Sequence, residues 1–291
     1  MIPLPANVVA RKFPKHFFGN SIAFFGAQLF ASGALAAQAS DIAWAAHNRI
    51  LTVNFGYLNQ DYTEHDPYGL TADGTLDTER GNINSAGFGA RWQAETIPLQ
   101  LQATARRSNG GTHYNGYLQS GNSLTPYSAT TGNIMLDIAA RAGFPIAQSE
   151  NWQWIPFIEL QHHRWQRELT QYTENFKHTA GLAGLQVQWR QRADADAAIG
   201  MWSFELEGAA GKMLDADMRA DSLGFNQPLG KRSLWQLGAT ASYDIAPQWR
   251  ISADAHTQRL GYGQSAIQNG MSEPSSTTRQ TTIGIGLGWR Y

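Results

Sequence analysis

Several residue groups in this chain have the types and spacing that chemistry needs. Asp254-Ala255-His256 puts an acid and an imidazole two positions apart. On a strand they share one face, and the carboxylate could orient the ring as a general base. Glu205 and Glu207 stand in the same relation. Their carboxylates would lie roughly 7 Å apart at strand rise, and paired acids can divide acid and base roles. His256 and Ser265 offer the pair an acyl transfer would use, near one rim of the fold. Asp194/Asp196 and Asp215/Asp217 are further acid pairs, placed by the pattern on a short turn and a later loop. His162 and His163 are adjacent, so on a strand they face opposite sides and cannot chelate one metal. The chain has no cysteine, which excludes thiol catalysis, cysteine-based metal sites and disulfides. No metal and no cofactor is expected.

Two-residue spacings of polar groups also arise on any strand whose second face is wet. What positions these residues therefore decides what they do. The chain is aromatic (11%) and poor in charge (15%), with 29 Gly and 10 Trp, a profile foreign to disorder and lean for a soluble enzyme. A formal net charge of −1 leaves no electrostatic footprint for nucleic acid.

The first 39 residues are expected to be a secretory signal peptide. Arg11, Lys12 and Lys15 precede an apolar run, which ends in the small-residue site Ala37-Gln38-Ala39. The alternative is a retained membrane anchor. Residues 40–48 would then be a short periplasmic segment, and 49–291 the folded domain. After residue 40 no apolar run is long enough for a membrane helix, but alternating strands can span a bilayer at unremarkable hydropathy.

From residue 49 the dominant period is two. Leu51, Val53, Phe55 and Tyr57 oppose Thr52, Asn54 and Gly56 in the first of ten such segments; Ile283, Ile285, Leu287, Trp289 and Tyr291 oppose glycines and Arg290 in the last. Each offers about nine to eleven residues, enough for a tilted strand to cross a bilayer. The connections alternate. Those near 58–81, 107–131, 212–232 and 261–277 read as long loops, the one near 166–176 as intermediate, and those between them as short turns. Trp92, Trp154, Trp189, Trp202, Trp249 and Trp289, with Tyr291, fall at strand ends beside the short turns; Trp165 and Trp235 fall at the opposite ends. Such sorting describes an aromatic girdle at each membrane interface.

Over residues 49–291 the chain resembles the transmembrane β-barrels of Gram-negative outer membranes, most closely at "IGIGLGWRY". That ending looks like the C-terminal signal of the class, with Tyr291 in place of the usual Phe. The resemblance implies an all-β, single antiparallel up-and-down barrel, with eight or twelve strands as the neighbouring counts. It also implies delivery by the barrel-assembly machinery through the last strand, and contact with outer-membrane lipid and lipopolysaccharide. Both termini would be periplasmic and the long loops at the cell surface, where they could hold an extracellular ligand. A soluble sandwich is the competing fold, and it would need polar outer faces.

In a barrel the second face of each strand lines the lumen. The expected inward charges are Arg91, Arg106, Arg141, Arg190, Arg250 and Arg290, set against Asp137, Glu159, Glu205, Glu207, Asp244 and Asp254, with His163, His178 and His256 among them. Opposite charges in a narrow bore favour ion-pair networks, because an unpaired charge there is costly. Function is therefore expected to be non-catalytic: a small porin-like pore, or a structural or surface-binding protein. The alternative is a rim-active enzyme. The strand count and the Asp254/His256 spacing resemble the omptin proteases, while the Asp-x-Asp pairs depart from their arrangement. A lipid A-modifying hydrolase is the other enzymatic form.

Overall fold

The computed structural model describes residues 39–291 except 121–122, 148, 171, 192–198 and 269, together with the pair Ile2–Pro3. The expected signal peptide, 1–39, lies outside the described residues apart from that pair and Ala39, as do Asp194 and Asp196.

Ten long strands carry the fold: β1 Ile50–His65, β2 Thr75–Gln93, β3 Gln100–Ser120, β4 Ser123–Gly143, β5 Trp152–Glu168, β6 Thr173–Arg190, β7 Trp202–Ala220, β8 Ser233–Ala246, β9 Trp249–Tyr262 and β10 Ser276–Arg290. Each pairs antiparallel with its neighbour in sequence, and β10 pairs with β1 from Ser276↔Glu64 to Arg290↔Ile50. The sheet thus closes on itself and leaves no long edge. Closure is what a chain needs where hydrocarbon offers its backbone no hydrogen-bond partner.

The strands run to 14–21 residues, well beyond the nine to eleven or so that a bilayer requires. Most of what the sequence pattern marks as long loops is therefore strand. The described residues of 107–131 belong to β3 and β4, which pair out to Ser120↔Ser123. The reason lies in the faces. On β1, Val53, Phe55 and Tyr57 point outward and are exposed, whereas beyond them the outward residues are Asn59 and Asp61. The inward face changes in the opposite sense, from Thr52, Asn54 and Gly56 to the buried Leu58 and Tyr62. β1 thus carries an apolar outer face near the short turns and an apolar inner face toward the hairpin end. Near the crossover neither face holds a steady pattern.

An apolar belt surrounds the barrel on the side of the short turns. It includes Phe55, Phe88, Ile138, Ile158, Leu206, Leu237, Ile251 and Ile285, the last 68% exposed. Its lower edge is aromatic. Trp152 packs on Trp189, Trp202 stacks on Phe204 and meets Tyr243, and Trp289 stacks on Tyr291. Trp92, Trp154 and Trp249 are exposed at the same level, and Trp235 is exposed at the upper edge. Trp165 departs from the girdle expected of it. It is 2% exposed, inside the barrel, stacked on Phe176 and edge-on to Tyr62.

Candidate functional site: the filled lumen

Ahead of β1, residues Ala39–His47 form a helix, α1, at the short-turn mouth. Trp44 and Ala45 are fully buried, and the Trp44 indole N–H donates to the Ser149 carbonyl. The Arg190 guanidinium lies 4.3 Å from the Trp44 ring centroid and donates to the Ala43 carbonyl. Arg190 therefore holds the helix instead of facing an acid across the bore. Just above, Asn48 donates to Gln93 and Gln188. The helix and these amides close that end of the barrel.

The next layer is ionic. Arg91 reaches across from β2 to both carboxylate oxygens of Glu205 on β7, at 2.7 and 2.8 Å, a bidentate pair. Arg141 on β4 binds Glu159 on β5 at 2.7 Å and Glu207 on β7 at 2.6 Å. Asp244 takes Arg250 and Arg290, at 2.8 and 3.1 Å. Glu205 and Glu207 do share a face, but each carboxylate is engaged by its own arginine. As placed, they form two ion pairs and not an acid–base couple.

A cavity of about 250 Å³ runs through this layer, from His47 of α1 past Arg91, Arg141 and Glu207 to Arg106, Asp137, Asp254, His256 and Gln258. Asp254 and His256 are mid-barrel, on the β9 stretch that faces Gly284 and Thr282 of β10. They are not near the rim, contrary to the sequence expectation. Ser265 lies beyond the end of β9, where its hydroxyl accepts the Glu273 backbone N–H and donates to the Ala266 carbonyl. Asp254 Oδ1 has no partner among the described residues, and Arg106 donates to Thr282 instead. Asp137 pairs with His163 Nδ1 at 2.6 Å, and His178 Nδ1 lies 2.8 Å from the Tyr262 hydroxyl. The two imidazoles are neighbours, with ring centroids 5.0 Å apart. His162 points the other way, to Thr179. Asp215 and Asp217 are on β7, not in a loop. Asp215 accepts the Thr179 backbone N–H, and Asp217 pairs with Lys177.

The upper lumen is not polar throughout, as the sequence suggested. Leu58, Tyr62, Ile83, Met135, Trp165, Phe176, Met218, Phe225, Leu260 and Tyr262 fill it with an ordinary apolar core. Above that core stands a charged cluster unforeseen in the sequence. Arg167, 1% exposed, lies within ion-pair reach of Glu64 (3.2 Å), Asp77 (3.3 Å), Glu79 (2.7 Å) and Glu174 (3.0 Å). Tyr62 donates to Glu64, while Thr112 and Asn133 donate to Glu79. Glu273 is also 1% exposed, and neither of its carboxylate oxygens has a hydrogen-bond partner among the described residues.

These acids lie above the apolar belt, and burial dominates their ionisation. It pushes the Asp77 carboxyl well above the usual range, and the Glu64 charge adds to that. Burial also raises Glu174 in spite of Arg167. Glu273 rises well above the ordinary value through burial and then the charges of Glu64 and Glu174. For Glu64 burial is outweighed: Arg167 and the Tyr62 hydroxyl hold it below the usual value. A signal for this cluster existed in "TLDTERG", where Asp77 and Glu79 alternate at strand spacing inside a segment that reads as loop.

No protein-family model matches the chain, and no curated protein matches it in sequence. Among solved structures the barrel is similar to the outer membrane protease OmpT from Escherichia coli, at TM-score 0.55 and 8% identity, over 83% of this chain and 97% of that one. It aligns more loosely with Neisserial surface protein A, at TM-score 0.34 and 10% identity over 83% and 97% of the two chains. The transport unit of the autotransporter AIDA-I from Escherichia coli aligns at TM-score 0.40 and 11% identity, over 80% and 89%. Identities this low speak to fold alone.

Proposed function

The fold is that of a Gram-negative outer-membrane β-barrel, and from it we propose that the protein resides in the outer membrane as a closed, non-catalytic barrel. Its short turns and α1 would face the periplasm, and its long hairpins would stand at the cell surface as a structural or ligand-binding platform. The apolar belt with its aromatic edge supports the location, since an exposed band of this kind needs lipid to cover it. The observation that carries the closed state is Arg141. It joins Glu159 to Glu207 across the bore, and below it α1, with Trp44 fully buried, plugs the mouth toward which the cavity of about 250 Å³ extends.

Planar-bilayer recordings test this. The purified protein should be silent, whereas removal of residues 39–48 together with Arg141→Met should produce discrete conductance steps. Steps of comparable size in the unaltered protein would show an open pore and overturn the proposal.

Catalysis is the second reading, supported by one observation, the cavity that holds Asp254 beside His256. If it holds, His256→Ala abolishes a hydrolytic activity while the barrel still folds; indifference to that change removes this site.

A further inference from the structure

The outer face just above the apolar belt is strongly basic, in contrast to the aromatic edge below. Arg259 on β9 and Arg279 on β10 are direct cross-strand partners, both exposed on the outside. Like charges facing each other in an antiparallel pair are destabilising. Neither guanidinium has an ion-pair partner among the described residues. The one acid in register with Arg279, Asp61 of β1, is taken by Arg80 at 2.9 Å. Trp235 on β8 flanks Arg259. One step toward the belt the hydroxyls of Thr257 and Thr281 bond each other at 3.1 Å, and then come Ala255 with Ile283 and Ala253 with Ile285, within the apolar band.

Elsewhere on the outer face a groove of about 430 Å³ lies between β4 and β7. Its lining includes Ile134 and Leu136 together with Arg164, Lys177 and Arg219, and Leu136 is the direct cross-strand partner of Arg164. Asp217 answers Lys177 at 3.3 Å and Asp221 answers Arg219 at 2.9 Å, while Arg164 has no polar partner among the described residues.

We propose that this rim binds the phosphates of a phosphorylated outer-leaflet lipid, with the facing Arg259 and Arg279 as its principal site. The inference rests on the outer-membrane reading and adds to it a headgroup chemistry. The occupant follows from the order of groups. A lipid lying along Ile283 and Ile285 carries its headgroup past the threonines to the arginines, and phosphate oxygens placed between two guanidiniums convert a repulsive pair into charge-assisted hydrogen bonds. The groove sets the same kinds of group side by side, Ile134 and Leu136 beside Arg164.

The test uses the full chain refolded in neutral detergent, its thermal unfolding followed while three probes are added: bis-phosphorylated lipid A, the same lipid without phosphates, and inorganic phosphate. The phosphorylated lipid should raise the unfolding temperature, and R259Q/R279Q should weaken its apparent affinity about tenfold or more. The dephosphorylated lipid and phosphate alone should do little. Equal response to the dephosphorylated lipid would mean that the apolar belt suffices, and would overturn the inference. So would unchanged affinity in R259Q/R279Q, or inorganic phosphate matching the lipid. If the double variant does not fold, R279Q alone is read in the same titration and decides in the same way. A chain that never inserts into lipid vesicles contradicts the membrane reading itself, whereas one that inserts but ignores phosphate overturns this inference only.

Discussion

The two halves of the lumen solve the same problem with different charge accounts. Near the short turns, Arg91 matches Glu205, Arg141 is shared by Glu159 and Glu207, and Arg250 and Arg290 share Asp244. Cations and acids there are equal in number, four of each. Near the hairpins a single arginine, Arg167, serves Glu64, Asp77, Glu79 and Glu174, with Glu273 unpartnered beside them. In the balanced half every one of these carboxylates has an arginine within ion-pair distance. The acid-rich half is stable only by keeping some carboxyls protonated. It also adjoins a conventional apolar core, which supplies packing that the balanced half lacks.

The most severe way to break this contrast is Arg167→Met. Removing one partner from a buried ionic cluster typically costs about 3–5 kcal/mol, and here four acids lose their cation. Chemical denaturation in detergent at neutral pH should show a loss of that order, with the hairpin end losing protection from hydrogen exchange first. Substantial recovery at about pH 5 is expected as the carboxyls protonate; no recovery would mean that Arg167 acts through packing against Tyr62 and Tyr114 instead.

Arg141→Met should cost somewhat less, because Glu207 is partly exposed to the cavity and the second acid, Glu159, still accepts from Gln236. Its distinguishing mark is the absence of acid rescue comparable with that of Arg167→Met. Equal rescue in both variants would erase the proposed difference between the halves.

In the unaltered protein the pH trend follows from the raised carboxyls. Asp77, Glu174 and Glu273 hold protons in the folded state at pH values where the unfolded chain has lost them, so stability should fall as pH rises from about 4 through their raised values. Glu64, held low by Arg167, opposes this, as does Asp66, held low by the backbone N–H groups of Tyr68 and Thr71. Denaturation midpoints measured between about pH 4.5 and 7.5 should therefore decline with pH, and a midpoint that rises across that window would contradict the assignment. The smallest effect is expected at the surface. Arg80→Ala removes an exposed pair with Asp61 and should change stability by under about 0.5 kcal/mol.

The membrane-facing half was legible because lipid imposes a strict alternation: Val53, Phe55 and Tyr57, or Ile283, Ile285 and Leu287, can be read directly as one face of a strand. The hairpin half was not, because the apolar face changes sides as the chain leaves the belt. Tyr62, Trp165 and Phe176 therefore carry the same periodicity in the opposite phase, and the run between phases looks like loop. Trp165 misled for the same reason, since its height matches an interface while its side faces inward. Arg167 escaped notice because its four acids come from three strands, β1, β2 and β6, brought together only by the closed sheet. α1 was hidden by its position just past a cleavage-like sequence, where residues 40–48 read as a short periplasmic segment too brief to show helical periodicity.

The β10–β1 pairing has a consequence for how this molecule is made. Its register runs unbroken from Ser276↔Glu64 to Arg290↔Ile50, so the two staves that finish the cylinder come from opposite ends of the domain. Inward glycines let them approach: a methyl group at Gly56 would fall 2.1 Å from the Ile283 carbonyl oxygen. Every other strand pair can zip from a nearby turn, whereas this one must wait for a search over the whole domain, the slowest kind of contact to form. Until it forms, two long edges stand open to neighbouring chains. The interval before sealing, and not the finished cylinder, is when this protein is most exposed to misassembly.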